Sequence, residues 1–109
     1  MNRKLSYEQK EAMQMQKDSI CEEQGGVCFY CPVDFNRDCV YPHAAHRIIP
    51  SVVNVKKYGY EILDNRLNFH ITCSDCNMKA VVNPEGSAGR ELIESIKHDI
   101  EIQKVMDRR

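Results

Sequence analysis

From Ser6 to Gly26 the chain sets charged and amide residues around a few apolar positions, among them Met13, Ile20 and Cys21. Ser6 and Gln9 stand at the spacing of a capping box, and Gly25 and Gly26 supply a stop, so a half-solvated helix is expected over about residues 6–24. The far end of the chain is patterned differently. Leu92, Ile93, Ile96 and Ile100, then Ile102, Val105 and Met106, recur at steps of three and four between charged residues. That period predicts an amphipathic helix over about 89–107, set off by Asn83, Pro84 and Gly86. Its apolar stripe and "DRR" end suit packing on the first helix or on another chain.

Between the helices the apolar runs are short. "VYPHAAHRII" and "RLNFHIT" read as strands, the first placed at an edge or bend by Pro42. "DFNRDC" is turn-like, "PSVVNVKKYGYEILDN" reads as a connector turning at Gly59, and "SDCNMKAVV" offers one to three helical turns beginning near Ser74 or Asp75. The order is helix, strand, strand, short helix, helix, which is an α+β pattern. With 109 residues, enough for one small core, a single domain over 1–109 is expected.

Composition excludes more than it assigns. Hydrophobic residues make up 42% and charged residues 28%, and no apolar run approaches the roughly 18 residues needed to span a bilayer. The N-terminus is basic but has no apolar stretch behind it, unlike a secretory signal, so a cytoplasmic protein is expected. A net charge of −1 offers a polyanion no attraction from the whole molecule. Residues 43 to 80 nevertheless carry five basic and three acidic side chains and three of the four histidines.

Six cysteines in a chain of this size need a reason. Four form two C-x-x-C pairs, Cys28 with Cys31 and Cys73 with Cys76, while Cys21 and Cys39 stand singly. Without an export signal, a disulfide framework is the poorer reading. Two such knuckles supply four thiolates for a tetrahedral zinc ion with no open coordination position, which makes the expected zinc structural. Cys21 and Cys39 are expected as small buried residues or free thiols.

The remaining chemistry-bearing residues lie between the knuckles and directly after the second. In "YPHAAHRIIP", His46 suits a core histidine, a ligand or a base; read singly, Asn68 suits a turn and Asn77 a helix surface. His70 is expected on the strand face opposite Phe69 and Ile71, and His98 on the surface of the last helix.

Taken together, these residues resemble a known family. "CFYC", "AHRIIP", "KKYG" and "RLNFHITCSDCN", with Asn68 five residues before Cys73 and Asn77 directly after Cys76, are similar to the HNH endonucleases, in particular to small phage and bacterial members with zinc between two C-x-x-C pairs. The resemblance covers about residues 28–80 and leaves out the outer helices. It implies a ββα-metal (His-Me finger) core tied by the zinc and a DNA endonuclease of an HNN kind. His46 would be the general base that takes a proton from the attacking water, Asn68 would brace the loop and the histidine, and Asn77 would bind a catalytic divalent metal, Mg2+ or Mn2+.

The chain departs from the family at one position. Ala45 stands where many members place an aspartate or histidine that also binds the catalytic metal. His43, two residues earlier and on the same face of a strand, is a candidate substitute, and Asp75 is another. Ala45 also leaves open a zinc-stabilised nucleic-acid-binding or protein-interaction module without catalysis. Arg47, Lys56, Lys57, Arg66 and Lys79 are the candidate contacts to a DNA backbone, and His70 is expected to be solvated or to face DNA. Small phage enzymes of this kind often act beside packaging machinery, so a second copy or a packaging partner on the outer helices is part of the expectation.

Overall fold

The computed structural model describes residues 4–108. Helix α1 spans Tyr7–Glu23, strand β1 His43–His46, helices α2 and α3 Val52–Tyr58 and Tyr60–Leu63, strand β2 Phe69–Thr72, and helix α4 Ser87–Asp107. Two 3-10 segments, Arg66–Asn68 and Ser74–Ala80, flank β2. The protein is a small α+β structure, and none of its described helices is long and apolar enough to cross a membrane.

α1 begins where the capping box placed it. Ser6 Oγ accepts from Gln9 N at 3.1 Å, and Gln9 Oε1 accepts from Ser6 N at 2.8 Å, pairing two N–H groups that a helix start otherwise leaves open. Only Ile20 of this helix is buried, as its sparse apolar pattern implies. Just past its end, Gln24 completes a strand edge. Its Nε2 donates to Ile71 O at 2.8 Å, and its Oε1 accepts from Ile71 N at 2.9 Å, so the amide replaces a neighbouring strand for β2.

β1 and β2 pair antiparallel, with His43 opposite Thr72, Ala44 opposite Ile71, Ala45 opposite His70 and His46 opposite Phe69. Directly opposed residues share a face. His46, Ala44, Phe69 and Ile71 therefore lie on one face, and His43, Ala45, His70 and Thr72 on the other. Phe69 and Ile71 join Ile20, Phe35, Cys28, Cys73 and Cys76 in one apolar cluster; Ile48, Leu63, Leu92, Ile93 and Ile96 form a second.

Several expectations change. Each strand is only four residues long, shorter than its apolar run: β1 passes into an irregular loop over residues 47–51, and β2 is flanked by the two 3-10 segments. The connector holds two short helices, with Ser51 Oγ capping Asn54 N and Gly59 joining them at φ 80°, a value that suits glycine. The segment after the second knuckle is 3-10 helix rather than an α-helix. α4 packs on α3 and on the turn at Arg66–Asn68, and Asn65 Nδ2 donates to Asp99 Oδ2 at 3.0 Å. Ile102, Val105 and Met106 remain exposed, and Arg109 lies outside the described residues. Cys21 is half-buried, whereas Cys39 is exposed in a left-handed turn at φ 53°, a free thiol but not a buried one.

Candidate functional site

The two knuckles, one before β1 and one after β2 in the chain, meet. The Sγ atoms of Cys28, Cys31, Cys73 and Cys76 all lie within 4.8 Å of one another, with Cys28 to Cys73 at 3.9 Å and Cys31 to Cys73 at 3.7 Å. A tetrahedron with zinc–sulfur bonds of about 2.3 Å has sulfurs about 3.8 Å apart, and a disulfide needs about 2.05 Å. The donor set therefore fits one ion such as zinc and does not fit a cross-link.

The thiols of the group are not alike. Burial raises the Cys28 pKa, but N–H groups of Cys73, Tyr30 and Cys31 pointing at its sulfur overcome this and bring it to about 7. Cys76 is pushed up to about 12 by burial and by the neighbouring sulfurs. Four thiolates this close repel one another, and a divalent cation relieves the repulsion. Among the described residues this is the one group of three or more Cys, His, Asp or Glu side chains close enough to share an ion.

His46 ends β1. Its ring lies 4.4 Å from that of Phe69, and burial pushes its pKa below the usual 6.5, with the Asp64 carboxylate pulling the other way. The loop that follows it is held by Asn68, which is 0% exposed. Asn68 Oδ1 accepts from Ile48 N at 2.8 Å, and its Nδ2 donates to Ile48 O at 3.1 Å and to Leu63 O at 2.9 Å. Asn68 O also accepts from Arg47 N at 2.7 Å. One asparagine thus ties the two residues after His46 to the end of α3.

The other candidates are less gathered. Asn77 and Asp75 are exposed on the 3-10 segment, and among the described residues no hydrogen bond joins either to His43 or His46. Ala45 is 2% exposed, so its position is filled by packing. His43 shares Ala45's face, with its ring edge-on to Tyr41 at 5.3 Å. Of the candidate DNA contacts, Lys57 pairs with Glu85 at 3.0 Å and Arg66 with Glu23, whereas Lys56 and Lys79 are exposed without an ion pair among the described residues. His98 is exposed on α4.

Two further side chains, Tyr30 and Phe29, join the site without a motif of their own. Tyr30 Oη lies 2.7 Å from His70 Nδ1, and the Phe29 ring stacks on His70 at 3.7 Å and 14°. Both aromatics occupy the two positions between Cys28 and Cys31, where the spacing of the cysteines draws attention from what lies between them. Gln24, the edge of β2, carries no sequence signal at all.

Comparison with protein-family models, with curated proteins and with solved structures finds no match for this chain.

Proposed function

We propose that the protein is a metal-dependent DNA endonuclease of the HNH type, with His46 as the general base. The observation that carries this reading is the Asn68 clasp, which holds the chain just after a half-buried, neutral imidazole at the end of a two-stranded hairpin. In this reading the hairpin and the following 3-10 segment are the counterpart of a ββα-metal core, and the four-cysteine site holds structural zinc. His46 accepts a proton from water as the water oxygen attacks phosphorus; the bond to the 3′ oxygen breaks, leaving a 5′ phosphate. Burial suits that role because it keeps the imidazole deprotonated at neutral pH. Asn77 would hold a magnesium or manganese ion, whose charge would stabilise the departing oxygen; His43, on the opposite face of the hairpin from His46, is not placed to share it. Exposed Ile102, Val105 and Met106 on α4 suit a second copy or a packaging partner.

Ala45 favours a second reading, in which the fold is a zinc-stabilised binding module without catalysis. Supercoiled plasmid separates the two. Zinc-loaded protein with magnesium or manganese, run beside chelator and beside His46→Ala, nicks the plasmid in the first reading and leaves it intact in the second.

A further inference from the structure

Arg47 directly follows His46, and its main chain is held on both sides: its N–H donates to Asn68 O at 2.7 Å and its carbonyl accepts from Val82 N at 2.8 Å. Its side chain is not satisfied in the same way. Nε is buried with no hydrogen-bond partner, and among the described residues the guanidinium has no ion pair. Glu91 lines the same concavity of about 330 Å³ together with Leu67 and Ser95, yet makes no ion pair with Arg47. A partly buried cation without a counter-ion is costly, and an anionic ligand is the simplest way to offset it.

The neighbours of Arg47 point to the same ligand sign. Ala45, two residues before Arg47, pairs with His70, and Arg47 N–H donates to Asn68 O, so Arg47 and His70 are near neighbours across the hairpin. Burial, reinforced by Arg47, lowers the His70 pKa to about 4, so His70 is neutral at pH 7. In the tautomer that accepts from the Tyr30 hydroxyl at Nδ1, 2.7 Å away, the imidazole proton resides on Nε2, which has no hydrogen-bond partner among the described residues. Stacking on Phe29 fixes the ring plane. The cluster then offers an N–H donor and a guanidinium, which suits an anion. A metal cation would be repelled by Arg47.

We infer that Arg47 and His70, with Tyr30 positioning His70, form a binding site for a backbone phosphodiester of the bound nucleic acid, on the hairpin face opposite His46. The inference rests on the nucleic-acid reading above and adds His70 and Tyr30 to it. Arg47 supplies charge and His70 a directed hydrogen bond, so the site binds backbone without reading bases.

The test is binding of a short fluorescein-labelled DNA duplex to the zinc-loaded full chain, without added magnesium, across a salt series. Arg47→Gln and His70→Ala are each expected to weaken binding about tenfold, the scale of one hydrogen bond to a charged group. Arg47→Gln should also reduce the slope of log K against log salt by about one, while His70→Ala leaves the slope unchanged. Tyr30→Phe, the mildest change, should weaken binding by a smaller factor. In the wild-type protein the duplex should shift the His70 imidazole nitrogen signals by NMR, a readout that needs no variant to fold. Unchanged signals, or unchanged affinity in folded Arg47→Gln and His70→Ala, would overturn the site while leaving any plasmid nicking intact. A response to inorganic phosphate but not to duplex would overturn the nucleic-acid assignment of the site. Absence of duplex binding together with absence of nicking would overturn the parent reading as well.

Discussion

Asn68 clasps Ile48 by both its N–H and its carbonyl, at 2.8 and 3.1 Å, and both residues are fully buried. The contact spans 20 residues and fixes where the chain goes after His46. Truncating the side chain would leave a buried N–H and two carbonyls unpaired, each costing about 1–3 kcal/mol unless water enters. Asn68→Ala is therefore expected to lower stability by about 2–4 kcal/mol, read as a shift of the urea midpoint, and to reduce any nicking activity beyond what the loss of folded protein explains. A midpoint within error of wild type would show that the clasp does not hold the loop.

The four cysteines predict metal-dependent folding. One zinc per chain is expected by elemental analysis, and chelation or Cys73→Ser should abolish the cooperative thermal transition, since the ion joins segments 45 residues apart. Retention of the transition after chelation would assign the stability to the two apolar clusters instead.

His46 sets a pH profile. Because burial lowers its pKa below 6.5, the basic form of the imidazole is already dominant at pH 7, and kcat/KM for nicking should rise through a limb below pH 6.5 and then level off. Asp64 raises that pKa, so Asp64→Asn should move the limb to lower pH. Movement to higher pH would contradict the placement of this carboxylate near His46.

His70 makes stability pH-dependent. Its pKa is about 4 in the folded protein against 6.5 for an unperturbed imidazole, so below pH 6.5 the unfolded chain binds more protons. The contribution of a neutral His70 is present above pH 6.5 and is lost as the pH falls toward 4. Melting temperatures between pH 7 and pH 5.5, with zinc in excess, should fall more steeply for wild type than for His70→Phe, and parallel curves would refute the buried state of this ring.

Gly89 lies in the first turns of α4, where a Cβ would come within 2.0 Å of Asn83 O and 2.6 Å of Pro84 Cα. Both obstacles are backbone. Gly89→Ala is expected to destabilise the protein by about 1–3 kcal/mol despite the better helix propensity of alanine, measured by denaturant titration. A stabilised variant would mean that α4 does not approach the 83–84 loop so closely.

The chain's local chemistry determined a good deal. The Ser6 and Gln9 capping box, the three-and-four spacing from Leu92 to Ile100 and the paired cysteines each state a local geometry that needs no distant partner, so α1, α4 and the two knuckles could be read directly. Tertiary structure decided the rest. Whether "VVNVKKY" and "YEIL" form helices depended on Ser51, Gly59 and a second core that the sequence does not display as a run. That Asn68 braces Ile48 and Leu63, that Gln24 stands in for a strand, and that Tyr30 meets His70 are consequences of pairing β1 with β2 and closing the knuckles over them. Those contacts join residues that share no local period, and only burial in a common fold makes their hydrogen bonds necessary.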